Sequence, residues 1–136
     1  MTDEAHKFPK HRPPSIRRVM MPRDTNAVRT IFGGVILSEI DLAAAVEAHR
    51  YHPGKIVTVA MDQIEFKQPV FVGDLVSFFT KCVRLGRTSI TVKVEVWAQR
   101  ARDRARTVHV TEGNVTMVAV DDEFRPVPVA IRDPQD

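Results

Sequence analysis

Among 136 residues there is one cysteine, Cys82, one tryptophan and one tyrosine. A lone thiol excludes an intrachain disulfide framework and suits a reducing compartment, so a cytoplasmic location is expected. So few large aromatics leave little to stack on exposed bases, which argues against a nucleic-acid partner. There is no Walker or dinucleotide glycine motif, and Ser38 lacks the G-x-S-x-G elbow of a nucleophilic serine. His49 and His52 stand three apart with no third ligand in view, so no metal site is expected. The charged opening TDEAHKFPKHRPP is not followed by the apolar segment of a signal peptide. Ser38, Glu39 and Asp41 break the longest apolar run, which argues against a membrane span.

What is present is the composition of one globular domain: 43% apolar and 27% charged residues in a length that supports a single core. The net charge of +3 is unevenly spread. Lys7, Lys10, Arg12, Arg17 and Arg18 form one basic group; Arg100, Arg102, Arg104 and Arg106 form another. A solvated tail and an exposed loop are the plain reading of such runs; attraction of an anionic ligand is the functional one.

Along the chain, residues 1–14 carry three prolines and no periodicity, and read as a mobile arm. Residues 15–129 read as the single domain and 130–136 as a tail. A short strand is expected at 15–20, then a loop to residue 30. A helix follows Gly33-Gly34 and runs to about residue 51, with His49 and Arg50 complementing its negative end and Pro53-Gly54 stopping it. From residue 56 the period changes to two. Strands are expected at 56–66, 75–85, 88–98 and 107–120, with Gly113 marking a bulge or bend. Ile90, Val92, Val94 and Val96 should face one side, and Thr91, Lys93, Glu95 and Trp97 the other. Short connections imply antiparallel neighbours. The fold class is therefore α+β: one long buried helix wrapped by a curved antiparallel sheet, with an edge strand open to a second copy.

Asp41 is the residue least explained by architecture. It lies within IFGGVILSEIDLAAAVEAHRY, a helix apolar around most of its circumference, which predicts burial. A buried carboxylate is costly unless paired or neutralised, and chains tolerate it where it does chemistry. At the helix start, the N–H groups of Gly33 and Gly34 are free to donate to a developing oxyanion; a tight turn that needs glycine is the structural reading.

Four segments in order resemble one family: MPRDTNAVRTIFGGVILSEIDLAAAV, IVTVAMDQIEFKQPVFVGDLVSF, VRLGRTSITVKVEVW and VTMVAVDDEFRPVPV. Together they are similar to the YciA-type acyl-CoA thioesterases of the hotdog superfamily, over roughly residues 20–129. The resemblance implies a hotdog fold, hydrolysis of acyl-CoA without metal or redox cofactor, and homodimers that associate into hexamers. It makes Asp41 the catalytic carboxylate, as general base or as nucleophile. It makes Asn26 the loop amide that orients water or substrate, and Thr58 the hydroxyl that bonds the carboxylate. It places Gly86, Arg87, Thr88 and Ser89 along the CoA tunnel, with Arg87 or the Arg100–Arg106 group near phosphates.

Spacing adds a constraint. Gly34 and Asp41 are seven residues apart, about 10 Å along a helix. One carbonyl cannot reach both, so a site that uses both is shared between subunits. The chain departs from the family at Val28-Arg29-Thr30, Val35 and Glu39. Arg29 would narrow the acyl entrance or select an anionic acyl group. Two other functions stay open at this point: an acyl-thioester hydratase, for which no histidine stands near Asp41, and a non-catalytic acyl-CoA sensor.

Overall fold

A computed structural model describes residues 7–134. Five strands and one helix follow in order: β1 (Ile16–Val19), α1 (Gly33–Ala48), β2 (Ile56–Asp62), β3 (Leu75–Leu85), β4 (Ser89–Gln99) and β5 (Thr107–Ala119). They form a hotdog fold, one helix packed against a curled five-stranded antiparallel sheet.

The period-two pattern of β4 sets the middle of the sheet. Ile90, Val92, Val94 and Val96 are fully buried and pack toward the helix, while Thr91, Lys93 and Glu95 are half-buried on the opposite face. Trp97 is on that opposite face as expected, its indole N–H donating to Glu95 at 2.7 Å, yet it is only 4% exposed. The Phe8 ring stands edge-on to both Trp97 and Phe79 with centroids 5.8 Å away, and the Arg12 guanidinium lies 5.5 Å over Phe79. Residues 7–14 of the expected arm thus lie across the outer face of the sheet, and residues 1–6 lie outside the described residues. At the other end, Ile131 N–H donates to Tyr51 and the Arg132 guanidinium to the Gly86 and Leu85 carbonyls.

The strand order is β1-β3-β4-β5-β2. Strands β3, β4 and β5 pair with their chain neighbours, as short turns require. Strand β2 does not pair with β3: it lies at the far edge, antiparallel to β5. Residues 63–74 must therefore cross back past β5 and β4, and this connection is too long to act as a hairpin. It leaves the strand at Gln63, whose φ is 60°, so β2 ends at Asp62 rather than near residue 66. Lys67 N–H then donates to Val110 (2.8 Å) and the Thr111 hydroxyl to Glu65 (2.7 Å).

Gly113 serves that crossing rather than a bulge. It pairs in register with Val94, and the extra residue of β5 is Val110. A Cβ on Gly113 would stand 2.4 Å from the Ile64 side chain and 2.8 Å from the Asp62 carbonyl oxygen.

Helix α1 ends at Ala48, one turn before Pro53-Gly54. Ile36, Ile40, Ala43, Ala44, Glu47 and Ala48 form its buried stripe against the sheet. Its other flank is open: Leu42 is 56% and Val46 50% exposed. The all-round burial expected from composition is thus not reached within one chain, because five strands curl over one side of the helix only. The buried acid of α1 is Glu47, which the Arg50 guanidinium meets at 3.2 Å.

Candidate active site

Asp41 lies in the third turn of α1 beside the open flank, half-buried rather than enclosed. The Thr58 hydroxyl of β2 donates to Asp41 Oδ1 at 2.5 Å. Local geometry aims that hydroxyl. The ladder between β2 and β5 slips after Thr58, leaving Val59 as an extra residue on the edge strand. A bulge rotates the side chains next to it, and bulges recur beside active sites for that reason. Nothing in the run IVTVAMD marks its position. The Ser38 hydroxyl donates to the Val35 carbonyl one turn back.

Gly33 and Gly34 are the first two residues of α1, and no side chain caps this end. Their N–H groups have no intrahelical acceptor and point out along the axis. Neither glycine has a positive φ, so backbone freedom does not account for them. At Gly34 a Cβ would stand 2.5 Å from the Phe32 ring. Asp41 and Gly34 share one uninterrupted helix, so the separation of about 10 Å holds within a chain.

The loop before the helix is built around Asn26. Its Oδ1 accepts from Val28 N–H (3.0 Å) and Thr30 N–H (3.1 Å), and its Nδ2 donates to Thr30 Oγ1 (2.9 Å). Asn26 thus spends its carbonyl on the turn, and one amide hydrogen remains for a ligand. Arg29 tops the turn with φ 68° and is exposed.

A clamp absent from the sequence reading holds this loop to the helix. The Arg18 guanidinium meets Asp24 at 2.8 Å and Glu39 at 3.4 Å. Burial alone would raise the Asp24 carboxyl; the Met21 N–H and Arg18 outweigh it and hold it below its ordinary value. Phe32 N–H donates to the Asp24 carbonyl at 2.8 Å, which ties the clamp to the start of α1. Glu39, one of the departures from the family, belongs to this clamp.

Arg87, Thr88 and Ser89 lie at the opposite end of the helix from Gly33 and Gly34. The Arg87 carbonyl accepts from Val129 and the Thr88 carbonyl from Ala119, so the turn is pinned while the Arg87 side chain stays exposed. The second basic group is partly committed to structure. Arg100 meets the buried Asp74 at 2.6 Å and stacks over Phe71, and Arg104 donates to the Gly73 carbonyl. Arg102 and Arg106 remain exposed.

Among the described residues no group of three or more histidine, cysteine, aspartate or glutamate side chains is placed to hold a metal ion. None of the described helices is long and apolar enough to cross a membrane.

A carboxylate presented from the helix of a hotdog fold toward an open edge defines a class, and comparison names it. Residues 29–105 match the family model of the thioesterase superfamily, and the chain belongs to that family. The acyl-CoA thioester hydrolase YciA of Escherichia coli (strain K12) is 37% identical over 113 residues, 82% of this chain and 86% of that one. Cj0915, a hexameric hotdog fold thioesterase of Campylobacter jejuni, superposes with a TM-score of 0.82 at 43% identity, covering 89% of this chain and 92% of the other. HI0827, a hexameric broad specificity acyl-coenzyme A thioesterase, superposes at 0.85 with 35% identity over 98% and 91% of the two chains. Its crystal structure has also been determined with an aspartate replaced by alanine.

Proposed function

We propose that the chain is an acyl-CoA thioesterase, releasing a free acid and CoA, with Asp41 as the catalytic carboxylate. The observation that carries this reading is the carboxylate itself: half-buried on the open flank of α1, held through one oxygen by Thr58, with the other oxygen available. Asp41 takes a proton from water as the water oxygen adds to the thioester carbon. The N–H of Gly34 receives the charge that develops on the carbonyl oxygen. The C–S bond then breaks, and the proton passes to the departing thiolate. A carboxylate and water suffice for this hydrolysis, so the proposal includes no metal or redox group. An acyl-enzyme trapped by rapid quench and mass spectrometry would change the role of Asp41 from base to nucleophile.

The site is shared between two copies. Gly34 and Asp41 of one helix cannot reach the same carbonyl, whereas an antiparallel neighbour brings its glycine end to this chain's Asp41. The same arrangement sets the partner's glycines toward the end of α1 where Arg87, Thr88 and Ser89 stand, which suits a CoA thioester entering from that end. Open apolar surface supports pairing: Leu42 and Val46 on α1, and Val59 at 57% on the edge strand. Hexameric assembly of Cj0915 and HI0827 extends the proposal to a hexamer here, a trimer of such dimers. The free thiol of Cys82 fits a cytoplasmic setting.

The test is thiol release from a panel of acyl-CoAs by the wild type and Asp41→Asn. Wild-type turnover that falls by about 10²–10⁴ in the variant supports the reading. Undiminished turnover in Asp41→Asn would overturn it, and binding without turnover by the wild type would make the protein a sensor.

A further inference from the structure

The segment that returns from β2 to β3 brings an aromatic side chain to the start of α1. Phe66 is held on both sides of its position, by the bond from Thr111 to the Glu65 carbonyl and by the bond from Lys67 N–H to Val110. Its ring edge lies 3.6 Å from where a Cβ on Gly33 would stand. Next to this contact is a cavity of about 300 Å³, walled by Gly33, Ile31, Ile36, Phe66 and Val70, with Thr30, Lys67 and Gln68 adding polar groups to its lining. Ile31, Ile36 and Val70 are each at most 6% exposed, so its floor is apolar and built into the core. Phe66 is 46% exposed and forms the one large wall not embedded in that core. The volume is at the small end for ligand pockets.

We propose that this cavity takes the alkyl end of the acyl group and that Phe66 determines how long a chain it accepts. The inference rests on the thioesterase reading and adds the substrate class: unbranched, uncharged aliphatic acyl groups. An alkyl chain buries its surface against Ile31, Ile36 and Val70, and the side chains of this floor give a polar chain end no hydrogen-bonding partner. The Lys67 ammonium at the rim lies 3.7 Å from the Glu65 carboxylate, so it is already matched and does not call for an anionic acyl end. Arg29, expected from sequence to shape the entrance, is not part of this wall.

The experiment compares kcat/KM for butyryl-, octanoyl-, lauroyl- and succinyl-CoA in the wild type, Phe66→Ala and Phe66→Trp, with folding checked by circular dichroism. Because Phe66 is nearly half exposed, both variants are expected to fold. Phe66→Ala should raise the lauroyl-to-butyryl ratio by about tenfold or more, and Phe66→Trp should lower it, since a methylene gained or lost in an apolar pocket changes discrimination by about tenfold or more. If the wild type hydrolyses these thioesters but neither ratio moves, or both move in one direction, the cavity assignment falls and the thioesterase reading stands. A wild-type preference for succinyl-CoA overturns the aliphatic class. A wild type that releases no thiol from any of them overturns both.

Discussion

At the residue scale the site depends on one hydroxyl-to-carboxylate bond. Thr58→Val keeps the shape of the strand residue and removes the donor to Asp41. A hydrogen bond to a charged group contributes about 1.5–3 kcal/mol, so kcat should fall about tenfold or more, with KM little changed, as steady-state kinetics will show. Thr58 and Asp41 are seventeen apart, and the sequence could connect them only through the family resemblance. Asp24 makes a second prediction. Its carboxyl is held below the ordinary value, so the stability it contributes is present above the unfolded pKa, about 3.9. That contribution is lost as pH falls through the lower, folded value. Asp24→Asn should therefore cost stability at pH 7, and the gap between variant and wild type should close in acid. Urea midpoints measured from pH 7 downward will show whether it closes. Neither Arg18 nor Asp24 stands out in the sequence, because a clamp between a strand, a loop and a helix has no short-range spacing. Glu47 and Arg50, three apart across the end of the helix, do carry such a spacing.

At the element scale, the extents of β3, β4 and β5 and the helix start follow from local chemistry, whereas strand order and the end of β2 do not. Alternation in β4 and β5 reads directly as a half-buried sheet. The placement of β2 beside β5 depends on which exposed backbone edge the chain can reach after residue 55, and no local pattern records it. The crossing it requires is recorded at one residue, Gly113, and only the neighbours show why. A methyl there meets Ile64 and the Asp62 backbone, so Gly113→Ala should destabilise by about 1–3 kcal/mol. A thermal or urea midpoint equal to wild type would mean that the crossing segment yields without cost. The bulge at Val59 is equally silent in sequence, and yet it decides which way Thr58 points.

At the scale of the whole molecule, the open flank of α1 and the edge β2 leave the chain an incomplete unit. If Asp41 of one copy works with Gly34 of another, two inactive variants should complement each other. Co-expressed Asp41→Asn and Gly34→Val form mixed pairs in which one of the two sites has both groups intact, and each variant alone has none. Isolated mixed pairs should regain roughly half of the wild-type activity on this count of sites. Tagged subunits purified in tandem and assayed by thiol release will measure it, and activity no higher than in either parent would remove the shared site. The all-round apolar character of the helix, which led to an expectation of burial within one chain, thus fits burial between chains.

Local order in the sequence determined what could be formed locally: the helix after Gly33-Gly34, the alternating strands, and an acid out of place at position 41. It did so because helix and strand periods are written in neighbouring residues. Tertiary structure alone decided that β2 lies beyond β5, that Thr58 meets Asp41, that Arg18 joins Asp24 to Glu39, and that Phe66 closes a cavity at Gly33. These contacts join residues far apart in the chain, and the free energy that selects them comes from burial and close approach in the folded state.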